Sequence, residues 1–387
     1  MTSLHLCTSD AWGGLELYAA TLMKELQHAG CDVLAICKPD SKIHRFLSDA
    51  GIETIVLPSY SVVSIRAIRT IRSILRERHV DVVHVHFHKD IWVASLALRG
   101  DTERRLFLSI YMGVPKKNDP WHRFIYKRVD AIFTSSQELN RRLPQLYPVP
   151  SSKIHFLPYG RYIDRYVSDE RKRNDIRRQF GVQQNDILVG TMVRIDPGKG
   201  VMDFARSFSY IDPEERKKIK YLIVGEPTRK GKANPHESPF EEHCVSYLRD
   251  IEAFIAAEGF ERNIFLAGFQ SDLTGYLSAM DVFVFPSRDE MYSLVVLDAM
   301  GMGLPVVAAR AGGNLDQIEE GKSGLFFDVA DSRDAAEKIM NYVRDPELRR
   351  RHGEQARVFV ERRHDINATI TTLLDFYKLP RRSEQRV

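Results

Sequence analysis

The stretch RDEMYSLVVLDAM, residues 288–300, sets Glu290 and Asp298 eight positions apart around an apolar Leu-Val-Val-Leu run. Eight residues of α-helix make just over two turns, about 12 Å, so both carboxylates can share one face with Glu290 at the helix start. A carboxylate at a helix N-terminus gains about 0.3–1 kcal/mol from the free N–H groups and the dipole, so the pair has a structural account beside a ligand-binding one. Complementary charge comes from VGTMVRIDPGKG, where Arg194 and Lys199 flank a Pro-Gly turn directly after a strand pattern. A guanidinium fork and an ammonium point charge together suit a diphosphate. Two glycine pairs follow apolar runs, Gly13–Gly14 and Gly312–Gly313. At such places backbone N–H groups approach ligand oxygens closely, and Gly-Gly also serves as an ordinary turn.

These residues need elements that bring them to one edge. Apolar runs SLHLCT, DVLAIC, TIVLP, DVVHVH, RRLFLSIY, AIFTS and KIHFLP alternate with helical patterns such as LELYAATLMKELQHAG. That alternation predicts a parallel sheet covered on both faces. A second series, DILVGTMV, KYLIVG, NIFLAG, DVFVFP, PVVAA and SGLFFD, repeats it. The expected architecture is α/β: two doubly wound Rossmann-like domains facing across a cleft, with ligands at the carboxyl ends of the strands. The boundaries read as 1–168 for the first domain, 169–186 for a charged helix and linker, and 187–363 for the second, with the helix and polar tail of 364–387 packing back on the first. The polar segment 227–243 reads as a surface loop or a rim over the cleft.

With 387 residues, 43% of them hydrophobic and 28% charged, the chain is long enough for two cores. No window approaches about 18 uncharged apolar residues, and the N-terminus lacks a basic run before its short apolar stretch, so neither a span nor a secretory signal is expected. Cys7, Cys31, Cys37 and Cys244 are scattered and read as buried thiols of a cytosolic protein, not as a disulfide framework or a zinc site. GxGxxG is absent after the first strand, which argues against a dinucleotide site. A net charge of +4 with no recognition motif argues against nucleic acid.

Taken in order, GGLE at 13–16, RIDPGKG at 194–200, PSRDEMYSLVVLDAMGMGLPVVA at 286–308 and AGGNLDQIEEGKSGLFF at 311–327 resemble the retaining glycosyltransferases of family 4, which have the GT-B fold. The likeness covers nearly the whole chain and is strongest over 281–327. It implies transfer of a sugar from a UDP- or GDP-sugar to a saccharide or lipid-linked glycan acceptor in cell-surface polysaccharide or lipopolysaccharide synthesis. It implies no metal and no further cofactor. By position, Gly14, with Gly13, offers backbone N–H groups near the diphosphate and Glu16 follows in the first helix. Arg194 and Lys199 neutralise the diphosphate, Glu290 meets donor sugar hydroxyls, and Asp298 meets the ribose. Gly312 and Gly313 offer backbone N–H groups to phosphate or sugar oxygens.

The sequence departs from the family in three places. The second acid is Asp298 where the family has Glu. Met291, Tyr292 and Ser293 stand where it commonly has Gly-Phe-Gly, which reshapes the sugar pocket. Tyr111 in LFLSIYMG holds the place of a histidine that reaches the transferred sugar, and a phenol is a poor cation at neutral pH. His84, His86 and His88 alternate along DVVHVHFHK, so His86 and His88 are candidates for the acceptor or sugar. Three histidines on one strand spread too far for a metal, so none is expected.

Residues 1–165 carry a net charge of +7 and the remainder −3. Within the basic half, Arg66, Arg69, Arg72 and Arg76 form one arc of the 65–76 helix beside Ile68, Ile71, Ile74 and Leu75. The helix suits either an anionic membrane surface or ordinary packing on its own sheet. KKNDPWHRFIYKR, 116–128, adds basic and aromatic residues. The expected location is cytoplasmic, either free or peripheral on the inner face of the cytoplasmic membrane. Two other readings stay open: a sugar-nucleotide epimerase or phosphorylase on the same frame, and a non-catalytic carbohydrate- or nucleotide-binding relative.

Overall fold

The structure is a computed structural model that describes residues 1–58, 63–113, 115–230 and 238–379. Two compact units divide the chain, one from Met1 to Gly160 rejoined at Ile366, the other covering most of Arg161 to Asp365. The seven strands of the first are β1 (Thr2–Leu6), β2 (Asp32–Cys37), β3 (Glu53–Val56), β4 (Val82–Val85), β5 (Arg105–Ile110), β6 (Ala131–Thr134) and β7 (Ile154–Phe156). They form one parallel sheet in the order β3-β2-β1-β4-β5-β6-β7. The second unit holds β8 (Ile187–Met192), β9 (Ile219–Val224), β10 (Ile264–Gly268), β11 (Val282–Phe285), β12 (Val306–Ala309) and β13 (Gly324–Phe327). Their order is β10-β9-β8-β11-β12-β13, again parallel.

Each strand coincides with one of the apolar runs. Parallel strands are covered by helices on both faces, so they read as continuous apolar stretches, and Leu4, Leu6, Val83, Val282 and Val284 are fully buried. In each sheet the winding reverses once, between β1 and β4 and between β8 and β11. Carboxyl ends at such a reversal form the crevice where doubly wound folds bind ligands.

Helix Ile366–Lys378 belongs to the first unit. Tyr377 stacks on Phe107 with centroids 5.3 Å apart and its hydroxyl lies 2.5 Å from His84 Nδ1. Gly160 admits this helix: a Cβ there would lie 2.8 Å from Ile366 Cα. Residues 380–387 of the expected tail lie outside the described residues, as do 231–237 of the polar 227–243 segment. The charged stretch 169–186 holds helix Glu170–Gln179, which packs inside the second unit. Its Arg173 and Arg177 meet Asp281 at 2.7 and 3.0 Å.

Helix Ile65–Glu77 packs its apolar arc on its own unit, the second of the two uses that its sequence suits. Ile71, Ile74 and Leu75 are buried within the unit, and the Arg72 guanidinium donates to the carbonyls of Ala97 and Leu96. Arg66, Arg69 and Ile65 remain exposed. Among the described residues no helix is long and apolar enough to cross a membrane.

Candidate functional site

In the second unit, the chain leaving β8 turns sharply at Pro197–Lys199, capped by Asp196, whose Oδ1 accepts from Gly198 N–H at 2.9 Å. Gly200 closes the turn at φ +66°, and a Cβ on it would lie 2.1 Å from the Pro286 carbonyl oxygen. Only glycine lets this turn rest against the end of β11. The two loops are then joined: Arg288 N–H donates to Gly198 O at 3.0 Å, and the Arg288 guanidinium forks onto Asp203 at 2.8 Å. This brings Lys199 Nζ to 2.6 Å from Glu290 Oε2, with both side chains about one-fifth exposed. Arg194 is exposed, and among the described residues its side chain has no ion pair.

Glu290 does not open the helix that its spacing suggests. The helix begins at Leu294, because the fully buried Gln317 amide holds Ser293 extended, accepting its N–H at 2.9 Å and donating to its carbonyl at 2.7 Å. Glu290 therefore lies in a loop, fastened by Gly313 N–H to its own carbonyl at 2.8 Å. Gly312 and Gly313 press against that loop; a Cβ would sit 2.1 Å from Glu290 O and 1.8 Å from Met291 O respectively. At Gly313 the N–H is spent on shaping the loop. Gly313→Ala is expected to displace residues 290–292, with a stability loss of about 1–3 kcal/mol and a larger loss of turnover. Urea unfolding beside steady-state rates checks this; unchanged values in both would remove the clamp.

Tyr292 is buried and its hydroxyl lies 3.1 Å from His364 Nε2, so the side chain points into the unit's own packing. Met291 is half-buried beside it. Asp298 is 3% exposed. Its Oδ1 accepts from Tyr166 O–H at 2.6 Å and from the Arg161 guanidinium, which also donates to Tyr166 at 2.9 Å. These partners lie more than 130 positions away in sequence, and no local pattern signals them. Asp298→Ala strands a largely buried guanidinium, so a stability loss of about 3 kcal/mol is expected. An unmoved unfolding midpoint would show that water replaces the carboxylate.

In the first unit the corresponding strand ends carry Thr8 to Gly13 after β1, His86 to His88 after β4, and Tyr111 after β5. Glu16 is 5% exposed and closes the first loop, accepting from Ser9 O–H at 2.6 Å and Gly13 N–H at 2.9 Å. Gly14 is the first residue of helix Gly14–His28. Asp90 accepts from both the N–H and the hydroxyl of Thr8, at 2.9 and 2.5 Å. His88 is half-buried; burial lowers its pKa, followed by the nearby Lys117 and Lys89.

Behind these loops lies a buried imidazole chain. The Tyr111 hydroxyl is 2.9 Å from His86 Nδ1, His86 Nε2 is 2.9 Å from His5 Nδ1, and His5 Nε2 is 3.1 Å from Ser3 Oγ. His84 bonds Tyr377 and Ser109 at 2.5 and 2.8 Å. All six ring nitrogens thus have hydrogen-bond partners. Burial pushes the pKa of His5 down to about 3 and those of His84 and His86 well below the usual value, while it pushes the Tyr111 phenol up. The sequence shows His84 and His86 but not His5, which β1 places beside them across the sheet.

A family model described as Glycosyltransferase Family 4 matches residues 12–165, and one described as Glycosyl transferases group 1 matches 172–359. The chain belongs to the GT-B glycosyltransferases. A D-inositol 3-phosphate glycosyltransferase from Nocardioides is 25% identical, over 93% of this chain and 86% of its own length. The N-acetyl-alpha-D-glucosaminyl L-malate synthase of Bacillus anthracis is 24% identical, over 73% of this chain and 71% of its own length. Among solved structures, Anabaena HepE in complex with UDP superposes with a TM-score of 0.83 at 19% identity, covering 97% of this chain and 99% of that one. A Rickettsia africae glycosyltransferase reaches 0.84 at 18% identity, covering 97% of each chain. At these identities the superpositions establish the fold, and the family matches make the chain a sugar-transferring enzyme of that fold.

Proposed function

We propose that this GT-B glycosyltransferase moves a hexosyl group, with retention, from a UDP- or GDP-sugar to a saccharide or lipid-linked glycan acceptor in cell-surface polysaccharide assembly. The observation that carries this reading is the Lys199–Glu290 pair at the reversal between β8 and β11, built by two glycine-tightened loops and flanked by the exposed Arg194. A cation pair beside an acid is what a diphosphate-linked sugar requires: charge for the leaving phosphates, a hydrogen-bond acceptor for the sugar hydroxyls. The crystal structures of HepE with UDP and with UDP-glucose, and that of WaaG, a glycosyltransferase involved in lipopolysaccharide biosynthesis, support donor and pathway.

In this reading, donor binding draws Lys199 from Glu290 onto the diphosphate, and Glu290 turns to the sugar. The departing phosphate takes the acceptor's proton on the face it leaves, so no protein nucleophile is needed. Asp298 reaches the ribose only through an oxygen that Arg161 and Tyr166 leave available. Tyr111, set by His86, lies at the acceptor side with His88. A panel of UDP- and GDP-sugars, with nucleotide release measured with and without extracted acceptor lipids, tests the proposal; no release from any donor would overturn it.

Docking to an anionic membrane is the finer part of the reading. Helix Ile91–Ala97 packs between helices Ile65–Glu77 and Pro120–Tyr126. The outer helices expose Ile65 and Trp121, 65% and 73% accessible, near Arg66, Arg69 and Arg123. Each cation near an acidic lipid surface adds about 1 kcal/mol, screened over about 8 Å at physiological salt. The chain is expected to sediment with anionic vesicles at low salt and to be released by Arg66→Ser, Arg69→Ser and Trp121→Ser together. Equal sedimentation of parent and variant would assign this face to another use.

A further inference from the structure

A second set of chemistry-bearing side chains lies behind the Lys199 turn. Asp196, His243 and Cys244 bring one ligand atom each within 4.8 Å of one another. Cys244 Sγ is 3.6 Å from Asp196 Oδ2 and 3.3 Å from His243 Nε2. A tetrahedral zinc ion with sulfur at about 2.3 Å and nitrogen or oxygen at about 2.1 Å has S···N and S···O edges of about 3.6 Å and an N···O edge of about 3.4 Å. The two measured separations already match those edges to within about 0.3 Å, and His243, 60% exposed, can swing to close the third.

Two further features fit a metal site. Glu241 Oε2 stands 3.5 Å from His243 Nδ1, on the far side of the ring from Cys244. A carboxylate there holds the proton on Nδ1 and leaves the Nε2 lone pair facing the thiol, the usual arrangement behind a histidine that binds metal. The backbone holding the ligands is also tied together. Ile195 bridges Pro227, Glu241 N–H donates to Thr228 O at 2.7 Å, and Thr228 Oγ1 reaches Asp196 Oδ2 at 3.4 Å. The histidine trio of the first unit is the weaker candidate, since all six of its ring nitrogens already have partners.

We propose that Asp196 Oδ2, His243 Nε2 and Cys244 Sγ bind one zinc ion, with water in the fourth position. Binding displaces the Cys244 thiol proton to solvent, so zinc uptake releases one proton and weakens as pH falls. The ion fastens the first turn of helix Glu242–Ala257 to Asp196, whose other oxygen caps the turn that carries Lys199. Its role is to hold that turn, whichever sugar is transferred.

Tag-free protein stripped with a chelator and titrated with Zn²⁺ against a chromophoric competitor is expected to take up one ion. Titration with Co²⁺ is expected to produce a thiolate-to-cobalt charge-transfer band. Cys244→Ser should abolish the band with the fold intact by circular dichroism. His243→Ala, at an exposed position, should weaken zinc binding more than Glu241→Gln, for which a loss of about 10-fold is expected. A parent protein without the band, or Zn²⁺ uptake unchanged in both Cys244→Ser and His243→Ala, overturns the site. Uptake lost only in His86→Asn overturns it too, in favour of the histidine trio.

Discussion

Replacing Lys199 with alanine is expected to lower turnover by about 100-fold or more while leaving the fold in place. Lys199 sits on a turn fixed by Asp196, Gly200 and the Arg288 backbone, so removing its side chain leaves the loop's own hydrogen bonds intact. Its ion pair with Glu290 is about one-fifth exposed on each side, and the loss of such a pair costs at most about 1 kcal/mol. Charge developing on a departing diphosphate is another matter, because a cation held in place stabilises the transition state without reorganising. Glu290→Gln is the informative partner. It frees Lys199, so nucleotide affinity should hold or rise while transfer falls, and calorimetry beside steady-state rates separates the two. Near-parental turnover in a folded Lys199→Ala protein would remove Lys199 from the diphosphate.

Acidification from about pH 7.5 to about pH 5.5 is expected to cost a few kcal/mol of stability through the histidine cluster. His5, His84 and His86 start from an ordinary value of 6.5, and burial lowers each, His5 to about 3. Between the depressed folded value and 6.5 the unfolded chain binds protons that the folded chain refuses. Stability is therefore complete above about pH 6.5 and is lost as pH falls towards the folded values, by roughly 1 kcal/mol per histidine at pH 5.5. Denaturant unfolding at the two pH values reads the slope, and His86→Asn should remove about a third of it. Equal slopes in parent and variant would mean that His86 takes up its proton within the folded core.

The sequence alone determined the architecture, because a parallel strand covered on both faces must be a short unbroken apolar run. All thirteen such runs became strands, SLHLCT as β1 and SGLFFD as β13 among them. Also legible as candidates were Arg194, Lys199, Glu290 and the Gly312–Gly313 turn, since glycines after a strand and charges beside them are local signals; of these the structure brings Lys199, Glu290 and the glycine turn together. Tertiary structure alone decided which groups meet. The helix after Glu290 starts at Leu294 because Gln317, distant in sequence, grips Ser293. Asp298, spaced like a ligand-binding acid, is engaged by Arg161 and Tyr166. The apolar side of helix Ile65–Glu77, amphipathic in sequence, is largely consumed by its own unit. His5 joins His86, and Asp196 joins His243 and Cys244, across separations of 81 and of nearly 50 residues. Spacing along a chain fixes only which face a residue shares with its neighbours; whether that face meets ligand, solvent or another side chain depends on what the remote chain brings to it.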